Sequence, residues 1–484
     1  MKSYFSLFIL TVLCILFSEN AYSQSCHCES QFDWLQSTFE ENDAGFQYAL
    51  DIKGKEKYQA HNNAILPRIK KASKEECVTL LREWLTFFRN GHLGISTKTN
   101  GENHVNGPTH EEIIAQFADW ETYDFNEIEF KTYVSNLQEP SMEGIWSSPP
   151  YTVGVKKEGK EYVGFILEAD GVYWRKGQVK FKLSQDGNAT FYMRDHSARE
   201  FNDSGLVGSN FLQMGFISFE RVNSKFKTNE AIARHYKSLE ASGPFVELLS
   251  PGNVLIRIPS FNFQHKKAID SVIAANYDLI TSNENFIIDL RNNGGGSDSS
   301  YQELLPLLYT NPIRTVGVEL LSTPLNNSRM EGFINNPNWS EEDKDWARKG
   351  LKKLNKRPGE FVNLRDDIVS EYTADAILPY PKNVAIIINE NNGSTTEQFL
   401  LAAKQSTKTK LFGHTTTGVL DISNMHFVDF PCGNLQLGYA LSRSMRIPHM
   451  AIDDKGIQPD YYVNETIPDH EWVSFVLNNL KNGG

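Results

Sequence analysis

A serine hydroxyl is a weak nucleophile until a base takes its proton and the surroundings accept the charge that follows. Ser394 stands in a context suited to that task. It lies in Asn391-Asn392-Gly393-Ser394-Thr395-Thr396-Glu397, between the apolar run Val384-Ala-Ile-Ile-Ile388 and a helical pattern. A tight strand-to-helix turn can lift a serine above the end of a sheet. The helix dipole then favours the negative charge that develops in acyl transfer. The same Ser-x-x-Glu spacing is also a capping box, in which Ser394 and Glu397 only satisfy free N–H groups at a helix start. On spacing alone both readings stand.

A second stretch could serve the same chemistry. Asp289-Leu290-Arg291-Asn292-Asn293-Gly294-Gly295-Gly296 runs from an apolar strand into glycines and then a helical pattern. Glycine lets backbone N–H groups turn toward a ligand with no Cβ in the way, and successive N–H groups form an anion or oxyanion cradle. The alternatives are a plain flexible loop or a phosphate-binding turn. No Lys-Ser/Thr pair follows the glycines, so a P-loop is excluded. Gly294, Gly295 and Thr395 are the candidate oxyanion donors.

For a base, imidazole is suited, because it titrates near neutrality and can return its proton to a leaving amine. His92 sits in Arg89-Asn90-Gly91-His92-Leu93-Gly94; it could equally end the preceding helix, where a cation is favoured. His414 and His449 are rivals, with His414 ranked ahead. Asp453 could orient the imidazole or be a turn residue. Asp421 and Arg443 could orient substrate, although a solvated role is the blander reading. No C-x-x-C or His-rich spacing argues for zinc, and the expectation is a reaction without metal or organic cofactor.

The D-L-R-x-N-x-G-G stretch, the later G-S-x-x-E, and Gly456-Ile457-Gln458-Pro459-Asp460 resemble, in order, the core motifs of the C-terminal-processing and tricorn serine peptidases. The likeness covers about residues 250 to 465. It implies an α/β core of ClpP/crotonase type and places the catalytic serine at Ser394. In the C-terminal-processing branch a lysine downstream of the serine is the base, and that register here holds Val419. The tricorn and interphotoreceptor-retinoid-binding-like branch instead draws a histidine from a D-G-H-like turn upstream. Arg89-Asn90-Gly91-His92 is similar to that turn, with Asn90 for Asp. The resemblance likewise implies an acidic residue at the closing motif, where Asp453 stands for the usual Glu, acting on the imidazole directly or through a bridging polar residue.

These groups need a frame. Asn285-Phe-Ile-Ile-Asp-Leu290 and Val384–Ile388 read as strands buried on both faces, each followed by a glycine-bearing turn and a helix. Ligands in such folds sit at the carboxyl ends of the strands. Val254–Ile258 reads as a further strand and Lys266–Ile280 as a helix. Cys77, Leu80, Leu81, Trp84, Leu85 and Phe88 form one stripe of an amphipathic helix running toward the His92 turn. Runs at Tyr151–Val155, Tyr162–Ile166 and Val179–Leu183 predict a small antiparallel β module. Its Trp174, Phe165 and Tyr173 would be a peptide groove or core. The PDZ pattern is missing from this module.

The expected division is a signal peptide over 1–23, a helical region over 24–112, a helical linker and β-rich module over 113–245, and the core over 246–484. A helical insertion, about 325–375, would be a lid or cap. Lys2, the apolar run Tyr4–Phe17 and the small residues Ala21 and Ser23 fit a cleaved leader. The run is short of the roughly 20 residues a membrane span needs. An exported chain permits disulfides, and Cys26 or Cys28 is expected to bridge to Cys77. With 40% hydrophobic residues, 30 Phe and 8 Trp, wholesale disorder is excluded. A net charge of −12 with no basic block argues against nucleic acid or anionic membranes as partners.

The expected function is an exported serine peptidase with a peptide or protein substrate. The alternatives are an inactive peptide- or lipid-binding protein on the same scaffold, or an esterase.

Overall fold

Apolar side chains on both sides of a strand demand cover on both faces of the sheet. The computed structural model describes residues 26–98 and 108–481, so the expected leader lies outside the described residues. The strands order as Phe245–Ser250, Asn253–Arg257, Asn285–Asp289, Asn383–Ile388, Thr409–Gly413 and Tyr461–Tyr462. The first pair is antiparallel and every later pair parallel. Ile256, Phe286, Ile288 and Ile386 face one layer with Ile269, Tyr301 and Phe399 from following helices. Leu255, Ile287, Ala385, Ile387 and Phe412 face another with Trp472, Val473 and Val476 of the Trp472–Lys481 helix. Each large apolar side chain so buried contributes about 2 kcal/mol.

The chain forms two compact units built from separated stretches, not one unit per linear segment. The unit just described takes residues 108–317, Val369–Asp421 and 448–481. It includes the β-rich segment, which is larger than the sequence suggested. Nine antiparallel strands run from Ala198–Phe201 at one edge to Gly205–Val207 at the other. Trp174 and Phe165 are fully buried there, so they are core rather than groove. The expected helical linker is two short helices, His110–Gln116 and Glu127–Ser135.

The other unit takes residues 26–98, Val318–Ile368 and Ile422–Ile447. The Lys74–Leu85 helix starts at a Ser73/Glu76 capping box and buries the predicted stripe, with Trp84 edge-on to Phe32 and Phe39. It ends at Leu85, before Arg89. A hairpin of Ile422–Asp429 and Leu435–Ser444 continues into Gly94–Thr97 and Val318–Leu321. The stretch expected as a lid supplies helices Pro324–Ile334 and Glu341–Leu354, which pack on each other through Met330, Ala347 and Leu354. Disulfides join Cys28 to Cys77, as one expected alternative, and Cys26 to Cys432, which was not expected. Among the described residues no helix is long and apolar enough to cross a membrane.

Candidate active site

Ser394 sits where the Asn383–Ile388 strand hands over to the Thr395–Ala403 helix. Its backbone is at φ 56°, ψ −124°. That region suits glycine, and a side chain there costs of order 1–3 kcal/mol. A plain N-cap residue adopts extended backbone and needs no such strain.

The second loop closes on the serine. Gly295 lies at φ +105°, and a Cβ on it would meet Gly393 O at 2.7 Å, Ser394 Cβ at 2.9 Å and Thr395 N at 2.9 Å. Only glycine lets the loops approach this closely. Among the expected oxyanion donors, however, Gly295 is corrected: its N–H is already donated to Asn293 Oδ1 at 3.0 Å. Gly295 serves by having no side chain. The N–H groups of Gly294 and Thr395 have no hydrogen-bond partner among the described residues. Thr395 stands at the first turn of its helix, where N–H groups lack intrahelical acceptors.

Asparagines tie the loops together. Asn293 Oδ1 also accepts from Thr396 Oγ1 at 2.9 Å, and Asn392 Nδ2 donates to Leu290 O at 2.6 Å and Asn293 O at 3.0 Å. Asn389 Nδ2 and Asn391 Nδ2 both donate to Asn292 Oδ1. At the strand end, the fully buried Asp289 receives Arg291 Nε at 3.0 Å and another of its guanidinium nitrogens at 2.7 Å. Burial alone would raise the Asp289 carboxyl, but Arg291 and Arg257 outweigh it and hold it below its ordinary value. The motif's charged residues are therefore frame.

Glu397 is fully buried. It accepts from Ser394 N at 3.2 Å, Thr416 Oγ1 at 2.5 Å, Gly418 N at 2.7 Å and Val419 N at 2.9 Å. Burial pushes its carboxyl above the ordinary value, with the donors opposing. The Ser-x-x-Glu spacing accounts for Glu397 only as one half of a cap; its wider role is to hold the 416–419 loop beside the serine. Val419 lies in that loop, its Cγ2 2.7 Å from where a Cβ on Gly393 would stand. The lysine register thus reaches the serine turn in space but carries no amine.

Asp453 is half-buried, and its Oδ1 accepts from Leu420 N and Asp421 N, both at 2.6 Å. Asp421 reciprocates, its Oδ2 accepting from Ile452 N at 2.5 Å and Asp453 N at 3.0 Å. Asp421 is therefore a buried clamp, not a solvated residue. Arg443 is likewise paired, with Glu319 at 2.7 Å and with its guanidinium 3.6 Å from the Phe361 ring centroid. The closing motif's Asp460 pins Leu411 N at 2.8 Å. His414 has both nitrogens engaged, Nε2 with Val463 O at 2.8 Å and Nδ1 with Glu390 at 3.2 Å, so it is a poor base. His449 is exposed.

His92 belongs to the other unit. Its Nδ1 lies 2.7 Å from Ile422 O. A carbonyl can only accept, so Nδ1 carries the proton and Nε2 of the neutral ring is an acceptor. Burial, the largest influence, pushes the His92 pKa below 6.5; nearby Arg89 adds to this and the Ile422 carbonyl opposes it. A neutral imidazole protonated on Nδ1 is the form a general base needs. Among the described residues no His/Cys/Asp/Glu group could hold a metal ion.

Residues 254–463 match the model of Peptidase family S41. No curated protein matches the chain. Mature CPAF complexed with lactacystin is a similar solved structure, 13% identical over 94% of this chain and 98% of that one, with a TM-score of 0.51. A putative peptidase from Parabacteroides merdae ATCC 43184 aligns at 12% identity over 94% of this chain and 96% of that one, TM-score 0.44. The tricorn protease aligns at 12% identity over 94% of this chain and 36% of that one, TM-score 0.40. At such identity the likeness speaks for fold alone, and the first structure carries it.

Proposed function

We propose a mechanism for a chain that, through residues 254–463, belongs to peptidase family S41 and is a serine-type peptidase: Ser394 is the nucleophile, His92 the base, and the reaction passes through an acyl-enzyme. Ser394 Oγ attacks the scissile carbonyl carbon as its proton passes to His92 Nε2. The C–O bond forms and the oxyanion is held by the N–H groups of Thr395 and Gly294. The C–N bond then breaks as the imidazolium returns the proton to the leaving amine, and water, activated by the same imidazole, hydrolyses the ester.

The observation that carries this reading is the strained backbone of Ser394 at the head of a helix, facing a glycine that leaves no room for a side chain. A capping role alone supplies no reason to store that strain. For His92 the support is its tautomer and lowered pKa. Asp453 enters only indirectly, by holding the Leu420 and Asp421 amides just ahead of Ile422 in the chain. The parallel strands, all but Thr409–Gly413 followed by a helix, support the ClpP/crotonase type for the core. The leader-like first residues support export to the periplasm or outside the cell.

A fluorophosphonate tests the assignment. Labelling confined to Ser394, lost in Ser394→Ala and slowed at least about a hundredfold in His92→Ala, is expected. Labelling that survives in Ser394→Ala overturns the nucleophile. Turnover of esters but of no peptide would make the chain an esterase.

A further inference from the structure

We infer that Asp43 and Arg89 are positioning residues that hold the His92 imidazole in its working orientation; this rests on His92 being the base. Arg89 grips the turn that carries His92. Its Nε donates to Gly91 O at 2.9 Å and a terminal nitrogen donates to His92 O at 2.9 Å. The same guanidinium forms a two-pronged pair with Asp43, at 2.7 and 2.6 Å. The Asp43 side chain is 0% exposed and that of Arg89 10%. Asp43 is itself fixed by Gly45 N at 2.9 Å and Ala440 N at 3.1 Å.

The turn needs this grip. His92 sits at φ 53°, which few non-glycine residues adopt unaided. Only a planar fork can hold a carboxylate with its ends while bonding carbonyls along its length. Gly45 shows how tightly the frame is drawn: a Cβ there would meet Arg89 at 2.7 Å and Ile422 Cγ2 at 2.8 Å. Ile422 supplies the carbonyl that receives His92 Nδ1. One packed nucleus therefore sets both the turn bearing the ring and the acceptor that orients it. A buried ion pair gains little stability over an apolar replacement, so geometry is the better reason for this one.

The full chain is reacted with a fluorophosphonate across pH, and the His92 titration is followed in the same variants by NMR of 13C-labelled histidine. Arg89→Lys keeps the charge but cannot bridge both carbonyls. Its labelling should slow about 10- to 100-fold with the inflection unmoved, as expected for a displaced reacting group. Arg89→Gln should slow similarly, with the rate inflection and the His92 titration both moving up, because the cation is gone. Asp43→Asn should slow and be rescued by no change of pH. If Arg89→Gln does not fold, the Lys and Asn variants carry the test. Parent rates in folded Arg89→Lys and Asp43→Asn, alongside a slow His92→Ala, overturn this proposal alone. A rapid His92→Ala overturns the base assignment, and this role with it. A lower melting midpoint with the parent rate and inflection means a merely structural pair and also overturns it.

Discussion

Two residues carry opposed physical signatures that their chemistry explains. Ser394 is strained, and strain at a single position is relieved by glycine. Ser394→Gly is expected to abolish labelling while raising stability by about 1 kcal/mol, net of glycine's greater freedom in the unfolded chain. A urea midpoint at or below that of the parent would show that φ 56° costs nothing. His92, whose backbone is also at positive φ, is distinguished instead by a ring that burial holds toward its neutral form. Its folded pKa is lowered from 6.5, so the ring stays neutral, and competent as a base, where an ordinary imidazole is half protonated. Acidification removes activity as pH falls through the lowered value, whereas this residue's contribution to stability is present above 6.5 and is lost progressively between 6.5, where the unfolded chain takes up its proton, and the lowered value. The acid limb of kcat/KM, which reports the free enzyme, should therefore bend below pH 6.5. A bend above it would point to a different base. The sequence shows that Ser394 and His92 are the right chemical types. It cannot show a φ angle or which ring nitrogen meets a carbonyl, because both depend on residues distant in the chain.

At the scale of elements, the βα units were legible from apolar runs bounded by glycine turns, since burial on both faces leaves a continuous hydrophobic signature. The lattice joining the two turns was not. Asn292 and Asn293 meet Asn389, Asn391 and Thr396 across about a hundred residues of chain, and an asparagine in a loop looks the same with or without such a partner. The glycines therefore looked like donors, whereas Gly295 gives its N–H to Asn293. Asn293→Ala should leave that N–H without its acceptor inside the protein, which costs about 1–3 kcal/mol. Labelling of Ser394 should slow along with it, and the acid inflection should not move, because the base is untouched. A parent labelling rate in folded Asn293→Ala would mean that the lattice stabilises the loops without shaping the oxyanion cradle. Glu397 makes the same point about motifs: the Ser-x-x-Glu spacing suggested a cap, and its carboxylate also reaches Gly418 and Val419.

At the scale of the molecule, sequence order and compact units part company. A hairpin from residues 422–447 joins helices from the chain's beginning in one unit, and no local pattern announces a pairing of Gly94–Thr97 with Leu435–Gly438. The disulfides follow that spatial grouping. Cys28 to Cys77 was within reach of a pattern argument, because both cysteines belong to helical segments near the start of the chain. Cys26 to Cys432, separated by 406 residues, was not. All of these sulfurs lie in the unit that bears His92. Cross-linking across a loop of 49 residues constrains the unfolded chain by about 4 kcal/mol in the entropy model. The Cys28→Ser/Cys77→Ser pair should thus speed hydrogen exchange throughout the Lys74–Leu85 helix, whereas the Asn285–Asp289 strand, in the other unit, should keep its protection. Cys26→Ser/Cys432→Ser should act more locally, loosening the start of the Cys28–Asn42 helix and the turn between Asp429 and Leu435. Equal loss of protection in the strand and the helix would show that the two units unfold as one, and the grouping of the disulfides would then say nothing about where stability resides.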